Sequence, residues 1–138
     1  MPTSADLLLD TSAAVPLITQ WHPAHQDVRR SARGLVCGLA GHALVETYSV
    51  LTRAPGKQRV SPAQARQVIE ADFPASVALP PDAALGAVAA FAEAGIAAGS
   101  VYDGLVGLAA RHAGVPLLSR DRRAAAVYNT LGVEVRLV

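Results

Sequence analysis

The sequence predicts an α/β domain of three layers, α/β/α, with a mostly parallel central sheet flanked by helices. Three observations lead there. Leu7-Leu8-Leu9 is a short apolar block without alternation, as a strand covered on both faces requires, and it ends abruptly in Asp10-Thr11-Ser12. Short apolar runs of this kind then alternate with segments of helical length, the pattern of βαβ units. Finally, the chain of 138 residues is 51% hydrophobic but only 4% aromatic, so its core packs from Ala, Val and Leu, as closely spaced helices on a sheet permit. That length suits one domain over 1–138, large enough to bury a core without disulfides or structural metal.

In chain order, the strand Leu7–Leu9 leads into a helix capped by Thr11 or Ser12 and reaching about Gln20, where Trp21-His22-Pro23 breaks it. A second helix runs from His25 to Ala32 with Arg29, Arg30 and Arg33 near its end, and Gly34 stops it. Leu35–Leu39 forms a second strand, weakened by Gly38. A helix follows from Gly41 to Arg53, with Leu44, Tyr48 and Leu51 on one side and His42, Glu46, Ser49 and Arg53 on the other. Ser61-Pro62 is a capped start for a helix to about Glu70. Ser76–Leu79 reads as a third strand, and Pro80-Pro81-Asp82 opens a helix closed by Gly95. The next helix starts at Ser100-Val101-Tyr102-Asp103 and ends before Gly114. A fourth strand over Val115–Ser119, a helix from Asp121 to about Leu131 and a last strand over Val133–Val138 complete the chain.

A net charge of +1 excludes a strongly basic nucleic-acid module, although Lys57 is the only lysine and arginine supplies the rest of the positive charge. Cys37 stands alone in an apolar context and reads as a buried small hydrophobe in a reducing compartment; no Cys/His zinc spacing is present. Without a basic leader or a window near the ~18 apolar residues of a membrane span, the sequence reads as cytoplasmic and soluble.

Asp10, Asp103 and Asp121 all occupy strand ends or helix starts, which bring them to one end of a parallel sheet, the end where ligand sites form. Glu46 projects from a polar helix face that turns toward the same cleft. Each has a plainer role as well: Asp10 and Asp121 as helix caps, Ser100-x-x-Asp103 as a capping box, Glu46 as a partner of Arg53. Convergence, however, is costly. Two carboxylates ~5 Å apart at an effective dielectric of ~20 repel by roughly 3 kcal/mol, so such a cluster takes up protons or a cation. Hard oxygen ligands favour Mg²⁺ or Mn²⁺, whose chemistry beside phosphate is to polarise a phosphodiester and activate water. Arg120, Arg122 and Arg123 around Asp121, and Arg53 beside Glu46, are candidate phosphate contacts. Thr11, Ser12 and Ser119 are candidate supporting hydroxyls, while His42 either steers a substrate or partner or stays a solvated helix-start residue.

Taken together, Leu8-Leu9-Asp10-Thr11-Ser12, Glu46 within Leu44–Arg53, Asp103 within Ser100–Leu105 and Asp121 within Leu117–Asp121 resemble PIN-domain proteins, specifically VapC-type toxin ribonucleases. The resemblance implies a PIN-like fold and a Mg²⁺- or Mn²⁺-dependent endoribonuclease, commonly acting on tRNA or rRNA. It further implies neutralisation by a VapB-type antitoxin, dimerisation, and Asp10, Glu46, Asp103 and Asp121 as catalytic metal ligands. Many relatives carry a further Asp or Asn after the fourth acid. Here Arg122 and Arg123 follow, which implies a single well-held ion. The rival reading is a catalytically silent PIN fold that binds RNA or protein. Phosphatases and receiver domains with a strand-end Asp fit poorly, because Ser12 stands where a second Asp is needed and no late lysine exists.

Overall fold

The computed structural model describes residues 4–138. At its centre lies a four-stranded sheet of β1 (Leu7–Leu9), β2 (Cys37–Leu39), β3 (Leu117–Ser119) and β4 (Val135–Leu137), in the order β2-β1-β3-β4. All neighbours pair in parallel, with Leu8 opposite both Gly38 and Leu117. β1 leads leftward to β2 and β3 rightward to β4. The order therefore reverses between β1 and β3, and a crevice opens at their carboxyl ends. Leu7, Leu8 and Leu9 are wholly buried, as an unalternating apolar strand under two helical layers must be.

Eight α-helices connect and cover the strands among the described residues: α1 (Thr11–Ile18), α2 (His25–Ala32), α3 (Ala43–Arg53), α4 (Pro62–Asp72), α5 (Pro81–Leu85), α6 (Ala87–Ala94), α7 (Ser100–Ala113) and α8 (Arg122–Thr130). The first four pack on one another as one layer, and α6 to α8 form the other. Ser61 and Gln64 close a reciprocal capping box on α4, with Pro62 at its first position. No helix among the described residues is long and apolar enough to cross a membrane.

Several expectations need correction. Ser76–Leu79 does not extend into a full strand: it runs parallel beside β2 with a single bridge, Ala40 to Val77, held by Val77 N–H to the Leu39 carbonyl at 3.0 Å and Gly41 N–H to the Val77 carbonyl at 2.8 Å, while the Ser76 hydroxyl takes the Leu39 N–H at 2.9 Å in place of a ladder carbonyl. The helix opened by Pro81 breaks at Gly86 into α5 and α6. On α3 the buried stripe is Ala43, Thr47 and Leu51, not Leu44, Tyr48 and Leu51. Ala43 and Thr47 let the helix lie closer to α1 than a Tyr would, and Tyr48 is left exposed. Asp10, rather than Thr11 or Ser12, caps α1. The second strand is shorter than expected, Leu35 and Val36 lying exposed before it. Cys37 is buried as expected, and burial pushes its thiol pKa up, with a smaller push from Asp6.

Candidate functional site

Asp10 leaves the end of β1 at the point where the strand order reverses, and its carboxylate is only 4% exposed. Its two oxygens accept four hydrogen bonds. Ser12 Oγ donates to Oδ1 at 2.6 Å and the Ala13 N–H to the same oxygen at 3.2 Å, while Ser119 Oγ at 2.6 Å and the Tyr128 hydroxyl at 2.9 Å donate to Oδ2. The two serine contacts are short, as charge-assisted O–H···O⁻ bonds are. Burial nonetheless pushes the Asp10 pKa above the usual carboxylate range, against the downward pull of Ser119, Ser12, Tyr128 and Ala13.

The hydroxyls are held in turn. Ser12 Oγ accepts from the Arg120 N–H at 2.8 Å, and wholly buried Ser119 accepts from the Asp121 N–H at 3.1 Å. The turn after β3 is thus tied to the turn after β1. Of the three hydroxyls the sequence singled out, those of Ser12 and Ser119 bond to Asp10, while Thr11 Oγ1 is buried without a hydrogen-bond partner among the described residues, as is that of Thr47. Tyr128 was not anticipated. It lies 118 residues from Asp10 in sequence, and the only hint was a lone aromatic in the Ala-rich helix Arg122–Thr130. Burial first, then the charge and hydrogen bond of Asp10, keep its phenol protonated far above the ordinary tyrosine range.

The remaining acids approach from three other elements. Asp121 follows β3, is exposed, and caps α8 by accepting from the N–H groups of Arg123 and Ala124 at 2.9 and 3.3 Å. Asp103 stands in the first turn of α7, which leads into β3 and so begins at the sheet's carboxyl edge. No Ser100 capping box forms there, the helix beginning instead after Gly99. The Asp103 pKa is raised by burial first and then by the charges of Asp121, Asp10 and Glu46, with His42 pulling the other way. Glu46 is exposed on the first turn of α3 and meets His42, one turn earlier, at 3.8 Å. It does not pair with Arg53, which lies seven residues on and so about 10 Å along the helix. Arg53, Arg120, Arg122 and Arg123 are exposed and make no ion pair among the described residues.

The donors available to a cation are thus carboxylates and hydroxyls, a set suited to Mg²⁺ or Mn²⁺ rather than to zinc. Among the described residues, however, no three acidic, His or Cys side chains stand close enough to enclose an ion. The arrangement is an open one. It fits Mg²⁺, which keeps several waters and takes only one or two carboxylates directly.

A sequence model of the PIN domain matches residues 7–129. The chain belongs to the PIN-domain family. Within the family it is of the VapC type: Ribonuclease VapC27 of Mycobacterium tuberculosis is 40% identical over 129 residues, 94% of each chain, and Ribonuclease VapC40 of the same species is 43% identical over 132 residues, 94% of this chain and 96% of the other. The fold of this PIN-domain chain is shared by FitAB, solved bound to an IR36 DNA fragment, with a TM-score of 0.72 at 16% identity over 95% of this chain and 94% of that one.

Proposed function

We propose that this PIN-domain chain is the toxin ribonuclease of a toxin–antitoxin pair, a Mg²⁺- or Mn²⁺-dependent endoribonuclease that hydrolyses phosphodiester bonds in tRNA or rRNA. What supports the reading beyond the family is the topology: Asp10 and Asp121 follow the carboxyl ends of the adjacent parallel strands β1 and β3, their turns are tied together through Ser12 and Ser119, and Asp103 begins the helix that leads into β3 at the same edge. Among Asp10, Asp103, Asp121 and Glu46, one or two would hold the ion directly and the others through its waters. Bound there, it would lower the pKa of a coordinated water and polarise the phosphodiester.

The chain's own residues do the positioning. Ser12, Ser119, Tyr128 and the Ala13 N–H fix the Asp10 carboxylate in one orientation, so that its charge is set before substrate arrives. The Arg120 side chain springs from a backbone clamped by Ser12 and, with Arg122 and Arg123, offers guanidinium donors to flanking phosphates. Hydrolysis adds the oxygen of water to phosphorus, breaks the bond to the leaving oxygen and returns a proton to it. A VapB-type antitoxin is the proposed partner, and a homodimer the proposed assembly.

Asp10→Asn tests the assignment. The amide keeps the carboxylate's shape, its oxygen still accepts from Ala13 and Ser12, and the hydroxyls of Ser119 and Tyr128 rotate to accept from its nitrogen. The expected result is a folded protein with cleavage and toxicity abolished, read by sequencing RNA ends after induction and by incubating purified protein with RNA and Mn²⁺. Cleavage at the parent rate by Asp10→Asn overturns the mechanism. A parent protein that binds RNA but cuts none establishes the silent alternative.

A further inference from the structure

Beside the acidic edge stands an aromatic pair that the cleavage chemistry does not use. His42 at the start of α3 and Tyr102 at the start of α7 face each other with ring centroids 5.4 Å apart and planes inclined by 30°. Each ring is bound to the site through its own helix. Tyr102 immediately precedes Asp103, and His42 lies one helical turn before Glu46, with its Nε2 3.8 Å from that carboxylate. Successive residues on a helix diverge by about 100°, so Tyr102 flanks the direction of Asp103 instead of entering the carboxylate cluster. The contact with His42 covers part of the ring, yet Tyr102 remains 55% exposed.

The contact with His42 restricts the tyrosine ring on one side, so a flat partner placed on its open side finds part of the ordering cost already met. Phosphates alone are poorly received here, because Asp10, Glu46, Asp103 and Asp121 repel them whenever no cation is bound. A nucleobase carries no such penalty. Single-stranded RNA is held by stacking unpaired bases on aromatic side chains, in addition to its backbone contacts.

Resting on the reading of the acidic edge as an RNA-cleaving site, we propose that His42 and Tyr102 form a stacking platform for an unpaired nucleobase adjoining the scissile phosphate. Tyr102 is the face on which the base lies. His42 is a positioning residue that fixes the tyrosine ring. The platform takes an unpaired base at that position without reading its hydrogen-bonding edge.

The test uses the full chain carrying Asp10→Asn, so that RNA survives, and short single-stranded RNAs with the fluorescent base 2-aminopurine placed at successive positions. Stacking quenches the fluorophore at one position in the bound RNA. Tyr102→Ala in the same background relieves that quench and weakens binding about tenfold, as loss of one base–aromatic stack does, while Tyr102→Phe restores both. An RNA lacking the base at that position binds the Asp10→Asn protein about tenfold more weakly and is indifferent to Tyr102→Ala. Equal quenching and affinity for Tyr102→Ala overturns the platform but leaves the ribonuclease reading intact. Failure of the Asp10→Asn protein to bind any of these RNAs, with a parent chain that cleaves none, overturns both.

Discussion

A single carboxylate surrounded by four donors sets the chemistry at residue scale. Tyr128 is the donor whose removal changes least else, because phenylalanine fills the same space. Tyr128→Phe should lower stability by about 1.5 kcal/mol, the lower part of the range for a hydrogen bond to a charged group, since Ser12, Ser119 and Ala13 keep their bonds to Asp10. Urea unfolding would measure it; an unchanged midpoint would show that the phenol contributes nothing to holding Asp10. Asp103 gives the opposite sign. Burial and the charges of Asp121, Asp10 and Glu46 raise its pKa, so the folded chain binds this proton more tightly than the unfolded chain does. Stability is therefore lost as pH rises from the ordinary aspartate value of about 3.9 through the elevated folded value, and the loss is complete above it. With divalent ions chelated, Asp103→Asn should melt at a higher temperature than the parent at neutral pH. The gap should close below about pH 4. A variant that melts lower at neutral pH would contradict the repulsion. These acids were legible in the sequence because strand ends and helix starts announce themselves locally. Tyr128 was not, since nothing local marks a contact that spans the whole fold.

Among the elements, two glycines decide how closely segments approach. Gly38 looked like a flaw in β2, yet a Cβ there would run into the carbonyl of Ala75 and come within 2.6 Å of the Ser76 nitrogen, all of it backbone that has nowhere to move. That crossing is held by Ala75 N–H to Cys37 carbonyl at 3.2 Å and Val77 N–H to Leu39 carbonyl at 3.0 Å. Gly38→Ala should cost at least about 3 kcal/mol, enough for the protein to be recovered largely insoluble or to melt far below the parent. Near-parental melting would mean that the Ala75–Val77 segment can lift away. Gly107 on α7 is a different case. A Cβ there meets Leu131 Cδ1 at 2.9 Å and Tyr128 Cδ1 at 3.1 Å. Leu131 offers a flexible tip, and alanine raises helix propensity by about 1 kcal/mol, so the stability change is small. The Tyr128 ring, however, must give by a few tenths of an ångström, which strains its 2.9 Å hydrogen bond to Asp10. Gly107→Ala should therefore lose several-fold more cleavage rate than Tm alone would suggest, measured as initial rate on one RNA beside a melting curve. Helix limits such as Ser61-Pro62 and Gly114 were legible because capping is local chemistry. That the strand expected at Ser76–Leu79 would shrink to one bridge was not legible, because a side-chain hydroxyl standing in for a ladder carbonyl leaves no mark on hydropathy.

For the molecule as a whole, the reversal of strand order between β1 and β3 is what sets the strand-end turns of Asp10 and Asp121 side by side. Asp10 and Asp121 leave neighbouring parallel strands, and α3 and α7 deliver Glu46 and Asp103 from the two sides of the same crevice. Strand ends and helix starts were legible in the sequence, but the spacing of the side chains they carry was not, since it depends on packing that no local pattern records. An open cluster whose members repel should be stabilised by a cation in proportion to occupancy. At one hundred times its dissociation constant a bound ion adds about 2.7 kcal/mol, which for a chain of this size is a rise in Tm of several degrees. Mn²⁺ should give that rise in the parent and a much smaller one in Asp10→Asn or Asp103→Asn, whose apo forms already lack part of the repulsion. The comparison separates the two contributions, because a non-specific salt effect acts alike on all three proteins. Equal shifts in parent and variants, measured by thermal melting across an Mn²⁺ series at constant ionic strength, would place the ion elsewhere than at these carboxylates.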